Sequence, residues 1–137
     1  MTYSDISDIT NLVDAFENAT ISREAGGHAE HMIVALHYLG LHDPETATEK
    51  MRQGILNLLV NGFGVDLAKE MPYHETLTIF WMRTVAEFMM ARTDSSTIDI
   101  AKELVVNFDK DYPLKFYSRE LLFSDRAMAA FVEADLA

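Results

Sequence analysis

The segment from Gly27 to Leu39 constrains the fold most, because it combines helical spacing of apolar residues with two histidines. At about 100° per residue, His28 and His31 fall on one stripe of a helix. The apolar members of that stripe are Met32, Ala35 and Leu39. A buried ring nitrogen costs free energy unless it has a partner. The segment therefore predicts a helix that carries a polar site against an apolar core.

A second segment, Pro72-Tyr-His-Glu-Thr-Leu-Thr78, offers the partner for this site. Pro72 predicts the start of a helix that runs to about Arg92 and is apolar on most sides. His74 shares one stripe of this helix with Thr78, Trp81, Val85 and Phe88. We expect the two histidine-bearing helices to pack side by side at the centre of the fold.

The rest of the chain also has helical periodicity, and no segment alternates convincingly as a strand does. Ser4 or Ser7 is predicted to cap a first helix, Asp43 a third with Pro44 in its first position, and Ser96 a fifth. The connection from residue 20 to residue 27 breaks at two glycines. The third helix is expected to pack closely against a neighbour at Gly54. In a short helix after Ser124, Met128 and Phe131 are expected to face inward.

These elements predict an all-α fold: one helical bundle over residues 1–137, with about five main helices plus a short C-terminal helix. Short connections favour antiparallel neighbours. The chain has 22 acidic and 11 basic residues, a net charge of -11, which disfavours nucleic acid and anionic membranes as partners. Cysteine is absent, so thiolate metal sites are excluded. A polar, acidic start unlike a signal peptide predicts a cytoplasmic protein.

The first functional hypothesis is a metal site. His28 and His31 are three residues apart, so both rings can reach one ion, and His74 supplies a third nitrogen if the two helices are neighbours. A carboxylate completes the set, with Glu17 preferred because it borders an apolar face, and Glu75 second. Zinc or iron is the divalent metal that such ligands favour.

The same hypothesis assigns chemistry to two residues beside His74. Glu75 is the candidate general base and Tyr73 the candidate hydrogen-bond donor to a small-molecule substrate, in a hydrolysis, hydration or oxidation. The structural alternative makes Glu75 an acid at a helix N-terminus and Tyr73 an interface aromatic.

The second hypothesis comes from another functional class. The three histidines are then structural residues satisfied by carbonyls or hydroxyls, or they bind an organic ligand without catalysis. A methionine-rich face on the helix of Trp81 would then make a homodimer interface.

The order His28-x-x-His31-Met, then Tyr73-His74-Glu-Thr-Leu-Thr78, then Tyr117-Ser118, resembles a group of small helical bacterial proteins. Members of that group pair an H-x-x-H-(L/M/V) segment with a Y-H-E-T-(L/I)-T segment and a Y-Y or Y-S tail. The resemblance spans about residues 27–132 and implies that the three histidines act together, but it implies no established activity. This chain departs from the group at Glu24-Ala-Gly-Gly27, where the group has an aromatic-rich approach to the first histidine.

Overall fold

The computed structural model describes residues 3–22 and 27–136, and every regular element in these ranges is helical. The all-α prediction is confirmed. The helices are α1 (Ile6–Glu17), α2 (His28–Leu41), α3 (Pro44–Asn57), α4 (Glu75–Met90), α5 (Thr97–Asn107), α6 (Arg119–Leu122) and α7 (Asp125–Ala129). A π-helical turn (Leu58–Gly62) extends α3, and a 3-10 turn (Tyr112–Lys115) follows α5.

The helix starts follow from local capping. Asp43, Ser96 and Ser124 each accept a hydrogen bond from a backbone N–H in the first turn of the helix that follows, as predicted for helices that begin there. The predicted cap of α1 is wrong. Asp5 caps that helix, and the Asp8 carboxylate reaches back to the Asp5 N–H, because an acid three positions on completes a reciprocal pair.

The start of α4 is three residues later than predicted. Pro72 and Tyr73 precede the helix, and His74 is its N-cap residue, with an extended backbone. The His74 ring takes the role that Ser or Asp usually has, because its Nδ1 accepts the Leu77 N–H at 3.1 Å. This position makes His74 a structural residue as well as a candidate site residue.

Helices α2 and α4 lie at the centre of the bundle, as predicted. Helix α2 packs against α1, α3, α4 and α5, and α4 packs against α2, α3, α5 and α7. Five consecutive residues of α2, from Met32 to Leu36, are buried, so this helix is surrounded on most sides. The predicted close approach at Gly54 is also confirmed, because a Cβ there would overlap the ring of Phe16.

A second, smaller apolar cluster lies at the C-terminal end of the chain. Its buried residues are Tyr117, Leu122, Ala127 and Val132, and Leu77 and Phe80 of α4 pack against them. The predicted inward positions, Met128 and Phe131, are not the fully buried ones. Ala127 and Val132 occupy the buried positions, while Met128 and Phe131 are half-buried.

The connection predicted from residue 20 to residue 27 includes residues 23–26, which lie outside the described residues. Most of the segment from Glu24 to Gly27, where the chain departs from the group that it resembles, lies there too. Within the described ranges, no helix combines the length and the apolar character needed to cross a bilayer.

Candidate functional site

The three predicted site histidines line one pocket between α2, α3 and the start of α4. We call it the histidine pocket, and its volume is about 370 Å³. Most of its wall is apolar. Its lining residues are Gly27, His28, His31, Met32, Ala35, Met51, Ile55, Leu59, Pro72, Tyr73, His74, Leu77, Thr78, Trp81, Met82 and Lys110.

Helical spacing explains how these side chains converge. The contribution of α2 follows the predicted stripe from His28 to Ala35, at intervals of three and four residues. The contribution of α4 follows the same intervals from Leu77 to Met82, with His74 in the capping position before it. Two amphipathic stripes that face each other therefore form most of the wall.

The ring of His74 is held by backbone groups at both nitrogens. Its Nδ1 accepts the Leu77 N–H, and its Nε2 donates to the Leu122 carbonyl at 2.6 Å. Both bonds require the neutral ring with the proton on Nε2. Burial lowers the pKa of His74, which favours this neutral form.

The ring of His28 is held at one nitrogen. Its Nε2 lies 3.0 Å from the carbonyl oxygen of Phe108, to which it donates. The imidazole also lies against the indole of Trp81, with ring centroids 4.4 Å apart. These contacts tie α2 to the segment that follows α5 and fix one edge of the histidine pocket.

His31 differs from the other two histidines. Its Nε2 is enclosed and has no hydrogen-bond partner among the described residues. The Phe16 ring packs edge-on against it, with centroids 6.2 Å apart. Burial, followed by the nearby charge of His28, lowers the pKa of His31 to about 4. At neutral pH this imidazole is uncharged and has an unmet hydrogen bond.

Glu17, the preferred carboxylate, is not among the residues that line the histidine pocket. Its Oε2 accepts a hydrogen bond of 2.7 Å from the hydroxyl of Tyr38. Tyr38 comes seven residues after His31 on α2, about 10 Å along the helix axis. The carboxylate and the histidines therefore occupy different parts of the bundle.

Glu75 and Tyr73 belong to a charged network at the edge of the pocket. Arg52 donates to both carboxylate oxygens of Glu75, at 2.9 and 2.7 Å, and the Tyr73 hydroxyl donates to the same carboxylate at 2.5 Å. The Arg52 hydrogen bonds lower the pKa of Glu75, and burial raises that of Tyr73 to about 12. Tyr73 lines the pocket, whereas Glu75 does not.

Within the part of the chain that the structure describes, no group of three or more His, Cys, Asp or Glu side chains is placed to hold a metal ion. The histidines share a cavity, but two of them use ring nitrogens on backbone carbonyls. Metal binding by His28, His31, His74 and Glu17 thus stays a prediction. The catalytic roles of Tyr73 and Glu75 stay predictions as well.

Sequence reasoning missed several features of this site. Lys110 lines the pocket, although the sequence shows it only as one residue of a turn-rich segment. The sequence does not show that the carbonyls of Phe108 and Leu122 accept hydrogen bonds from the histidines, since every residue has a carbonyl. Thr76, which does not itself line the pocket, is fully buried and binds the Ala130 carbonyl and the Val132 N–H through its hydroxyl. Its place two residues after His74 in the Tyr-His-Glu-Thr segment was the available signal.

The resemblance to small helical bacterial proteins stays a prediction as well. Comparison of the chain with models of protein families, with curated proteins and with solved structures found no match.

Proposed function

We propose that the protein binds a small, largely apolar molecule in the histidine pocket, and that His31 forms a hydrogen bond to it. The observation that carries this proposal is that His31 lines an apolar cavity of about 370 Å³ while its enclosed Nε2 has no hydrogen-bond partner among the described residues. A cavity of this size lies within the range of small-molecule sites, about 300–1,000 Å³. An unmet buried hydrogen bond is costly, and ligand sites are where proteins tolerate such a cost.

The chemistry of His31 restricts the group that it can bind. With a pKa of about 4 the ring is neutral at physiological pH, so it offers one donor and one acceptor rather than a charge. A hydroxyl, carbonyl or carboxyl group of the ligand can form a hydrogen bond with this donor or this acceptor. Because the Nε2 of His31 is enclosed, this hydrogen bond requires the ring to rotate about its Cβ–Cγ bond.

Three other polar residues of the wall, His74, Tyr73 and Thr78, are already engaged. His74 uses both ring nitrogens, the Tyr73 hydroxyl donates to Glu75, and the Thr78 hydroxyl donates to the His74 carbonyl. These bonds fix the wall before a ligand arrives, which lowers the entropic cost of binding. His31 is left to orient the ligand.

Trp81 provides a direct assay, because it is the only tryptophan in the chain and lines the pocket. We expect 1-octanol or benzyl alcohol to change its fluorescence in a saturable titration. Loss of one hydrogen bond worth about 1 kcal/mol predicts that His31→Leu weakens binding about fivefold. Ala35→Phe fills the cavity and abolishes binding.

The matched control is His37→Leu, on the same helix but outside the pocket lining. Its affinity for either alcohol should equal that of the unmodified protein. The proposal fails if neither alcohol saturates the Trp81 signal, or if Ala35→Phe binds them as well as the unmodified protein does.

A divalent metal, zinc or iron, is the second candidate occupant. It is favoured by His28 and His31, which lie three residues apart in the same wall, with the Nε2 of His31 unpartnered. A third protein nitrogen would require His74 to leave a backbone contact. Hydrolysis, hydration or oxidation with Tyr73 and Glu75 depends on this second candidate.

Elemental analysis of the purified protein and a Co²⁺ titration followed by visible absorption test the metal. If a metal is bound, His74→Ala should lower its content, whereas His42→Ala should not, because His42 is not among the pocket-lining residues. Metal-free protein that gives no cobalt spectrum would rule the second candidate out.

A further inference from the structure

We propose that the natural occupant of the histidine pocket is a small carboxylic acid with an apolar body, bound with its carboxylate beside Lys110. This inference rests on the proposed function and names the ligand class for the same site.

The first argument is the charge of the wall. The chain has 22 acidic and 11 basic residues, so a surface of average composition would carry mostly negative charge. Among the described residues that line the pocket, Lys110 is the single lysine or arginine, and no aspartate or glutamate is present. A cationic ligand would find no counter-charge here, whereas an anion finds one.

The second argument is that Lys110 is available. The ion pairs of the described residues are made by Arg52 and Arg92, and Lys110 takes part in none of them. Its sequence neighbours Asp109 and Asp111 are exposed, and neither lines the pocket. One Asp109 oxygen accepts the Asp111 N–H, which closes the turn around the lysine.

The third argument is the position of Lys110 relative to the apolar interior. Lys110 is exposed and comes two residues after Phe108, whose carbonyl holds the ring of His28. Because Lys110 is exposed and lines the cavity, we place its ammonium group at the water-facing edge. A carboxylate there stays partly hydrated, which avoids the large cost of burying an ion.

The interior suits a hydrocarbon chain or ring. Three methionines, Met32, Met51 and Met82, line it, and their flexible thioethers adapt to differently shaped apolar groups. Neutral His31 adds a hydrogen bond but no charge, so discrimination between acid and alcohol has to come from Lys110. The attraction is that of an exposed ion pair, and it is correspondingly weak.

Three eight-carbon probes separate these contributions: octanoate, 1-octanol and octylammonium, each titrated below its micellar concentration and followed by Trp81 fluorescence. An exposed ion pair predicts that octanoate binds about 1.4- to fivefold more tightly than 1-octanol, and that octylammonium binds most weakly. Lys110→Gln should remove the advantage of octanoate. The control Lys102→Gln, an exposed residue of α5 outside the pocket lining, should keep it.

Added salt gives an independent readout, because screening should weaken octanoate binding and leave 1-octanol binding unchanged. The inference is overturned if 1-octanol binds as tightly as octanoate, if octylammonium binds most tightly, or if Lys110→Gln leaves the ratio intact. In each of these cases the apolar pocket itself still binds a ligand. If none of the three probes binds, the proposed function fails together with the inference.

Discussion

The ring of His74 and the backbone carbonyl of Leu122, 48 positions apart in the chain, are joined by a hydrogen bond of 2.6 Å. The other nitrogen of the same ring caps α4. One neutral imidazole therefore caps the N-terminus of α4, binds the C-terminal segment and forms part of the pocket wall.

Replacement of His74 should separate these roles. His74→Ala loses the cap and the bond to Leu122, each worth about 1 kcal/mol, so the free energy of unfolding should fall by about 2 kcal/mol. His74→Asn keeps a capping side chain and should lose about 1 kcal/mol. Urea unfolding measures both changes. In both variants, amides in residues 119–130 should exchange hydrogen faster, and a C-terminal segment that stays protected would contradict the role of the Leu122 contact.

Replacement of His31 should stabilise the ligand-free protein. His31→Leu removes an enclosed nitrogen without a partner, a group that costs about 1–3 kcal/mol, and leucine is a better helix former. We expect the free energy of unfolding to rise by about 1 kcal/mol in urea titrations, while ligand binding weakens. A loss of stability would contradict the expected cost of the unpartnered Nε2 atom.

Stability should fall in mild acid because of the same residue. The pKa of His31 is about 4 in the fold and about 6.5 in an unfolded chain, so the unfolded state binds more protons between these values. Stability is then complete above pH ~6.5 and falls as the pH drops toward ~4, by up to about 3 kcal/mol. The lowered pKa of His74 acts in the same direction.

Urea unfolding at a series of pH values between about 7.5 and 4.5 tests this dependence. His31→Leu should flatten the curve, and His37→Leu should not. An unmodified protein that is equally stable across the range would mean that these histidines are exposed or already charged in the fold.

Two glycines make a matched pair for packing. A Cβ at Gly54 would overlap the fully buried ring of Phe16, so Gly54→Ala should destabilise the protein by about 1–2 kcal/mol despite the better helix propensity of alanine. A Cβ at Gly40 in α2 would have nothing within 4 Å, so Gly40→Ala should stabilise the protein by about 0.5–1 kcal/mol. Thermal melting of both variants shows whether the two changes have opposite signs.

Most of the fold was predictable because its signals are local. Caps such as Asp43 and Ser96 act within four residues, and the stripe from His28 to Ala35 follows from helix geometry alone. The convergence of the three histidines was predictable for the same reason, once α2 and α4 were taken as neighbours. The late start of α4 was not, because a histidine rarely caps a helix and does so here with help from Leu122.

The parts of the site that were not predicted depend on packing between distant segments. Glu17 lies at the edge of the stripe of α1, but the angle between α1 and α2 decides that it meets Tyr38. The charge of the wall depends on where a turn places Lys110. Neither the interhelical angle nor the path of a turn follows from periodicity.

The separate C-terminal cluster has a consequence for the motions of the molecule. Helix α7 packs on α4 and α6, and polar anchors of this segment include Thr76 and His74 on or beside α4. A segment held to the rest of the protein mainly through one helix can open as a cooperative unit, at a smaller free energy than global unfolding. Because His74 also lines the pocket, each opening frees the ring of one wall residue from its contact with Leu122. The lifetime of a bound ligand should therefore depend on how often the last twenty residues of the described chain detach.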